Sequence, residues 1–370
     1  MSRLFEPSTI NALELPNRIV RSATYEGMAN PDGSCTEALT RKMEELAEGG
    51  VGLIITSHAF VSPEGRARPF QLGVHDDAMT GGLGKMAEAV RAKGARLLLQ
   101  LAHGGVQADA KATGLPALGP SDFERPDKVR AREMTAYDIL RLHTAYEEAA
   151  RRAQEAGFDG VQIHAAHNYL LSEFLSPFFN RRTDAYGGSL ENRARFLVET
   201  AAAVRRKTGR NFTILVKINS EDFRPDGLRR EETFRVAGML AEAGIDAVEM
   251  SGGGPYSGDM IPSRKGMLKT EEDEVYYREA AVAYRKEVDL PLVLVGGIRS
   301  PGVAESLVEN GVADFVALSR PLIREPGLAR RWREGDRSRS TCISCNLCYL
   351  PILEGKGMYC EAEARERARG

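Results

Sequence analysis

Residues 136–157, AYDILRLHTAYEEAARRAQEAG, are followed after two residues by GVQIHA at 160–165, and this pair of segments decides the fold. The first repeats apolar residues at helical spacing with charged residues between them, so it reads as an amphipathic helix with one face turned to a core. The second is a short apolar run, which suits a strand covered on both faces. Working outward, the same alternation recurs. RIVRS (18–22), GLIITS (52–57), RLLLQL (96–101), TILVKI (213–218), AVEMSG (247–252), PLVLVGG (291–297) and FVALSR (315–320) bring the strands to eight, with helical stretches between them. Strands alternating with helices predict a parallel sheet, and eight units favour an α/β fold of the closed (β/α)8 TIM-barrel type over an open doubly wound sheet.

Length and composition agree with this and narrow the function. The chain has 370 residues, 42% of them hydrophobic, enough for one large barrel with an appendage. A net charge of -2 with 28% charged residues gives no pull toward nucleic acid or an anionic membrane. A small-molecule substrate is therefore expected, and a homo-oligomer is the expected assembly. The opening MSRLFEPSTINALELP has no apolar run suited to a signal peptide, and no segment has the length of a membrane span, so a cytoplasmic location is expected. Two segments break the rhythm, 103–134 after the third strand and 176–193 after the fourth. On a barrel, long loops after strands fall on the catalytic face. A boundary is expected near 335, giving a barrel over 1–335 and a Cys-rich extension over 336–370.

The chemistry-bearing residues cluster at strand ends. After the seventh strand, Gly296-Gly297-Ile298-Arg299-Ser300-Pro301 leads into a helix, with Ser300 suited to its cap; after the eighth, Ser319-Arg320-Pro321 repeats the device with a guanidinium. Glycine backbone N–H groups, a helix start and an arginine together suit a phosphate, and loops seven and eight are where barrels commonly bind one. No G-x-G-x-x-G follows any strand, which argues against a resident dinucleotide on a Rossmann unit. Ser22 and Thr24, Gln100 and His103, His164 and His167, and Lys217 end the first, third, fourth and fifth strands and should face one mouth. Together they offer donors for a polar heteroaromatic ring as well as a phosphate, a description that flavin mononucleotide (FMN) fits. The pair His164 and His167, with Tyr169 behind it in IHAAHNYL, could serve a metal, a proton relay or a carbonyl pocket. A zinc helix would want H-E-x-x-H, and Glu173 is at the wrong spacing for it. A Schiff-base lyase using Lys217 as nucleophile is the reading from another class.

IHAAHNYLLSEFLSPFFNRRTDAYGGSLENRARF (163–196), with LPNRIVRSAT, QLAHGG, VGGI and ALSRP in order, closely resembles the Old Yellow Enzyme family of NADH:flavin oxidoreductases over nearly the whole chain. The resemblance implies an FMN-binding TIM barrel in which Ser22, Ala23, Thr24, Gln100, Lys217, Gly296, Gly297, Ser319 and Arg320 touch the cofactor. It also implies that His164 and His167 hold a substrate carbonyl oxygen and that Tyr169 donates a proton, in an ene-reductase reducing activated alkenes with electrons from NAD(P)H. An amine-type dehydrogenase or electron-transfer component is the alternative. Two positions depart from the family pattern. Lys217 stands where many members carry Arg, keeping the charge but not the planar fork. Ser22-Ala23-Thr24-Tyr25-Glu26 also differs from the usual first-strand loop.

Four of the five cysteines, Cys342, Cys345, Cys348 and Cys360, lie in CISCNLC followed by YLPILEGKGMYC, a C-x2-C-x2-C-x11-C pattern. Such spacing suits a [4Fe-4S] cluster, or zinc held by four thiolates, or leaves reduced thiols without metal. The stretch is similar to the cluster segments of trimethylamine dehydrogenase and 2,4-dienoyl-CoA reductase. With a cluster, an outside redox partner protein becomes a candidate electron donor or acceptor.

Overall fold

A computed structural model describes residues 2–266 and 268–369. All eight expected strands form: β1 (Ile19–Arg21), β2 (Leu53–Phe60), β3 (Arg96–Ala102), β4 (Gly160–Ala165), β5 (Thr213–Asn219), β6 (Ala247–Ser251), β7 (Leu292–Val295) and β8 (Phe315–Leu318). Each pairs in parallel with the next and β8 pairs with β1, so the sheet closes into a barrel. The stretch 136–157 forms a helix over Ala136–Glu155. A reciprocal capping box between Thr135 and Asp138 fixes its start, and the chain turns away at Gly157, whose φ is +81°.

Strand alternation gives the barrel two apolar cores. Outward residues such as Ile54, Leu97, Leu99, Val161, Ile163 and Val216 pack against the surrounding helices. Inward residues form a separate cluster: Val20, Leu53, Ile55, Leu98, Leu215, Ala247, Val293 and Phe315, with Ile10, Leu13 and Leu15 of a small antiparallel hairpin, Ser8–Ile10 with Leu13–Leu15. That hairpin plugs the bottom of the barrel. Apolar side chains fill the floor, so the polar side chains further along the same strands are raised to the open end.

The two long insertions are partly ordered. The first contains a three-stranded sheet (Ala117–Gly119, Phe123–Glu124 and Arg130–Glu133), and the buried Arg182 of the second donates to the carbonyls of Pro120 and Met134, tying the two together. The last 30 or so residues fold back over the open end. Ser340 exchanges hydrogen bonds with Arg299, Asn346 donates to the Ser263 carbonyl at 2.7 Å, and Ile352 lies against Gly27. Among the described residues, no helix is long and apolar enough to cross a membrane.

Candidate functional site

The period of two that builds the barrel also builds its site. On β4 the inward positions are Gly160, Gln162 and His164; on β5, Leu215, Lys217 and Asn219; on β6, Ala247, Glu249 and Ser251. Each strand thus runs from small or apolar at the floor, through a buried polar residue, to a group at the mouth. Register makes Lys217 the direct neighbour of both Glu249 and His164, and Gln100 that of Gln162. The middle layer is one connected network. Gln100 donates to Gln162 at 2.7 Å, and Gln162 donates to Glu249 Oε2 at 2.7 Å. Glu249 Oε1 accepts from Ser22 Oγ at 2.5 Å and Lys217 Nζ at 2.8 Å.

Above this layer opens a cavity of about 530 Å³. Every sequence-expected cofactor and catalytic residue borders it: Ser22, Ala23 and Thr24 at one wall, Gln100 and Lys217 at the base, Gly296, Gly297, Ser319 and Arg320 at one end, and His164, His167 and Tyr169 at the other side. The four cysteines do not, although Ser344 and Tyr349 beside them do.

At the end bordered by loops seven and eight, the arrangement differs from expectation in two respects. The start of the helix Pro301–Glu309 is already occupied. The buried Glu274 carboxylate accepts from Arg299 N at 2.8 Å, Ser300 N at 3.1 Å and Ser300 Oγ at 2.6 Å, so those groups have no capacity left for a phosphate. Ser300 is the N-cap residue as expected but makes no side-chain cap bond, and the expectation that this helix start favours a phosphate is corrected, because the Glu274 carboxylate is the anion there; Gly296 and Gly297 remain as the phosphate candidates of that loop. Both have left-handed φ, +124° and +77°, and a Cβ on Gly297 would sit 2.5 Å from the Tyr276 ring. Arg320 turns partly to the C-terminal segment, donating to Asn346 Oδ1 at 2.7 Å and to the Arg264 carbonyl at 2.9 Å, with Tyr276 Oη at 3.3 Å. Arg264 itself is 8% exposed, stacks 4.5 Å over Tyr276, and keeps Nε and Nη2 without partners. A buried cation lacking an anion beside the glycine loop is a feature that the sequence reading missed.

On the opposite side the imidazoles converge. The His164 and His167 ring centroids are 5.3 Å apart, and Tyr169 lies 4.9 Å from His164. His167 and Asn168 hold left-handed φ of 60° and 59°, a tight turn that swings His167 back over the barrel, where Asn219 Oδ1 accepts from its backbone N. His167 Nε2 lies 2.7 Å from Ser251 Oγ, whereas His164 Nδ1 is buried without a partner. Burial drives both imidazoles well below the usual histidine range, assisted by the neighbouring Lys217 and His58 and, for His164, by His167. Both rings are thus neutral at physiological pH. Burial raises the Tyr169 phenol, with Arg68 opposing, so it stays protonated.

Lys217 has its charge matched by Glu249, which is fully buried. A Schiff-base role would require an uncommitted amine, and this one is committed to a carboxylate and a hydroxyl. Glu249 and Gln162 lie inside the strands and not at their ends, and polar residues at alternate positions within AVEMSG and GVQIHA were the signal for them.

In the C-terminal segment, burial pushes the Cys348 thiol up to about 11, with Cys342, Cys345 and Cys360 adding to the effect and Arg320 opposing it. Left-handed φ at Ser344 and Asn346 folds the chain between the first three, and Arg324 Nη1 lies 3.9 Å from Cys360 Sγ. All are free thiols. Among the described residues, no three Cys, His, Asp or Glu side chains converge to hold a single metal ion as a tetrahedral zinc site requires.

Residues 3–338 match the sequence model of the NADH:flavin oxidoreductase / NADH oxidase family. The chain belongs to this family, the Old Yellow Enzyme family. It is 36% identical to an NADH oxidase of Thermoanaerobacter brockii over 93% of its own length and 53% of that protein's. Its fold matches the structure of a 2-naphthoyl-CoA reductase complex with a TM-score of 0.89 at 28% identity, over 97% of this chain and 56% of the other. A histamine dehydrogenase from Rhizobium sp. 4-9 matches with a TM-score of 0.86 at 29% identity, over 97% and 52%. The chain thus spans about half the length of these relatives. Family membership makes the barrel a domain of the NADH:flavin oxidoreductase type.

Proposed function

We propose that this chain is an FMN barrel of ene-reductase type that reduces activated alkenes such as α,β-unsaturated carbonyls, with NAD(P)H as the reductant. The observation that carries this reading is the convergence of two neutral imidazoles and a protonated phenol on one side of a cavity whose base is a buried polar network. The residues fit FMN. Glycine alone fits at Gly297, where a Cβ would meet the Tyr276 ring, and Arg264, stacked on that same ring, is a buried guanidinium whose Nε and Nη2 have no partner among the described residues. Ser319 and Arg320 would hold the phosphate together with Gly296 and Gly297, while Ser22, Ala23, Thr24, Gln100 and Lys217 would line the ring. When bound, FMN supplies hydride transfer between the nicotinamide and the alkene β carbon.

The chain's own residues do the rest. His164 and His167 donate to the substrate carbonyl oxygen as negative charge develops there, each donor contributing about 3 kcal/mol. With Ser251 Oγ as the donor in its 2.7 Å contact with His167 Nε2, the proton of that neutral ring would lie on Nδ1, toward the substrate. Tyr169 protonates the α carbon as general acid.

The same division of labour assigns residues 1–335 to the flavin barrel and 336–370 to a cysteine segment. The spacing of Cys342, Cys345, Cys348 and Cys360 supports a [4Fe-4S] cluster, which would relay electrons to or from a partner protein. The histamine dehydrogenase likeness favours a second reading, an amine-type dehydrogenase passing electrons outward through that cluster.

An anaerobic absorbance spectrum with iron and zinc analysis tests the cofactors; colourless protein would refute the flavin reading. His164→Ala should abolish enone binding while leaving the flavin bands, and unchanged enone turnover would refute its role. Reduction of the flavin by an amine, without reduction of enones, would select the second reading.

A further inference from the structure

The site contains a third imidazole that strand alternation alone would have sent elsewhere. On β2, Leu53 and Ile55 face the barrel interior and Ile54 faces the helices, so an unbroken strand would turn His58 outward. The pairing of β2 with β3 instead shifts register between Ile55 and His58, a bulge that sets His58 opposite Gln100. A bulge re-aims the side chains that follow it. Accordingly Ala59 and Val61 join the outer core, and His58 turns into the cavity. There its Nε2 lies 3.1 Å from Tyr169 Oη, and its ring centroid is 5.3 Å from Tyr169, 5.5 Å from Tyr25 and 6.5 Å from His164.

We propose that His58 is a positioning residue for the proton transfer, donating its Nε2–H to the Tyr169 hydroxyl oxygen so that the phenol's own proton is aimed at the substrate. This rests on the ene-reductase reading. The opposite polarity, with Nε2 accepting, would direct the Tyr169 proton toward His58 and away from the α carbon. Burial and the nearby Arg68 hold the ring neutral, so only one nitrogen carries hydrogen and the two polarities exclude each other. In the step, the Tyr169 O–H bond breaks, a C–H bond forms at the α carbon, and the O–H electron pair stays on the phenolate oxygen. The His58 N–H and the Arg68 guanidinium beside it stabilise that phenolate until water returns the proton.

The test uses the FMN-loaded full chain and 2-cyclohexenone, with flavin reduction by NAD(P)H and flavin reoxidation by the enone followed separately under anaerobic conditions. His58→Phe should keep FMN content and flavin reduction near wild type but slow enone-dependent reoxidation about 10- to 100-fold, the effect of one hydrogen bond to a charged group. His58→Gln, whose amide can donate from the same place, should recover most of the rate, whereas His58→Asn, too short to reach, should not. If His58→Phe loses flavin, the Gln and Asn pair decides. Adding His58→Phe to Tyr169→Phe should cause no further slowing. Normal reoxidation in His58→Phe beside a slow Tyr169→Phe would overturn the inference alone, as would multiplying effects in the double variant. Normal reoxidation in Tyr169→Phe would overturn Tyr169 as donor and the inference with it.

Discussion

The Lys217–Glu249 pair offers the sharpest quantitative test of the site. The two residues are direct cross-strand neighbours on β5 and β6, 3% and 0% exposed, with Nζ 2.8 Å from Oε1. Lys217→Met removes the one cation that, among the described residues, pairs with a carboxylate whose other partners are neutral donors, the Ser22 hydroxyl and the Gln162 amide. Breaking a buried pair on one side costs about 3–5 kcal/mol, because the remaining charge stays buried without compensation. Against a typical domain stability of about 5–15 kcal/mol, that is a large loss. Glu249→Met should cost a similar amount by stranding the ammonium. The double variant Lys217→Met/Glu249→Met removes both charges together and should recover much of it, since apolar replacement of a whole buried pair is often close to neutral. Urea unfolding of flavin-stripped protein, followed by far-ultraviolet circular dichroism, measures all four stabilities without the contribution of bound cofactor. The expected coupling is at least 3 kcal/mol. Losses that simply add, or a Lys217→Met loss below about 1 kcal/mol, would show that the pair is not buried and mutually dependent as described.

Gly297→Ala places a Cβ 2.5 Å from the Tyr276 ring at a φ of +77°, so FMN affinity should fall at least tenfold, as read by flavin retention on dialysis; full retention would refute the cradle. Stability should also respond to pH through His58, whose folded pKa is lowered to about 3 from 6.5. The unfolded chain binds the extra proton between those values, so this stability is full above about pH 6.5 and falls on acidification. The loss reaches about 2 kcal/mol at pH 5, and His58→Phe should lack that increment in urea midpoints compared between pH 8 and pH 5. Asn346→Ala removes the bonds to Arg320 and Ser263 at a left-handed position with a φ of 62°, and should lower flavin retention on dialysis; unchanged retention would mean that the cysteine segment and the cavity end are independent.

The fold was legible because short, mostly apolar strand segments alternated with helices apolar on one face, so local pattern and global architecture agreed. The twelve residues named for the cofactor and the chemistry all border the cavity, most of them as strand ends and Ala23 and Tyr169 through the family resemblance. His103, also at a strand end and expected at the mouth, does not: it is buried, its Nδ1 accepting from Gly105 N. What stayed hidden required register rather than pattern. His58 lies one residue past GLIITS, and its inward direction depends on a bulge with no signature in composition. Glu274 sits in a loop 25 residues before the Arg299 backbone it binds, so sequence alone assigned the free helix start to a phosphate.

The C-terminal segment carries the same lesson into function. Its boundary near 335 was visible as a change in composition, but that boundary suggests a separable appendage, whereas the contacts bind it to the cavity. Arg320, two residues past the end of β8 and expected to face a phosphate, donates to Asn346 between two of the cysteines and contacts the Tyr276 hydroxyl. Tyr276 in turn covers Gly297. A single side chain therefore touches the loop that carries the thiols and the aromatic that shapes the phosphate end. Any group held by the cysteines is then coupled to the cavity through Arg320, and the order in which two cofactors enter should matter to both.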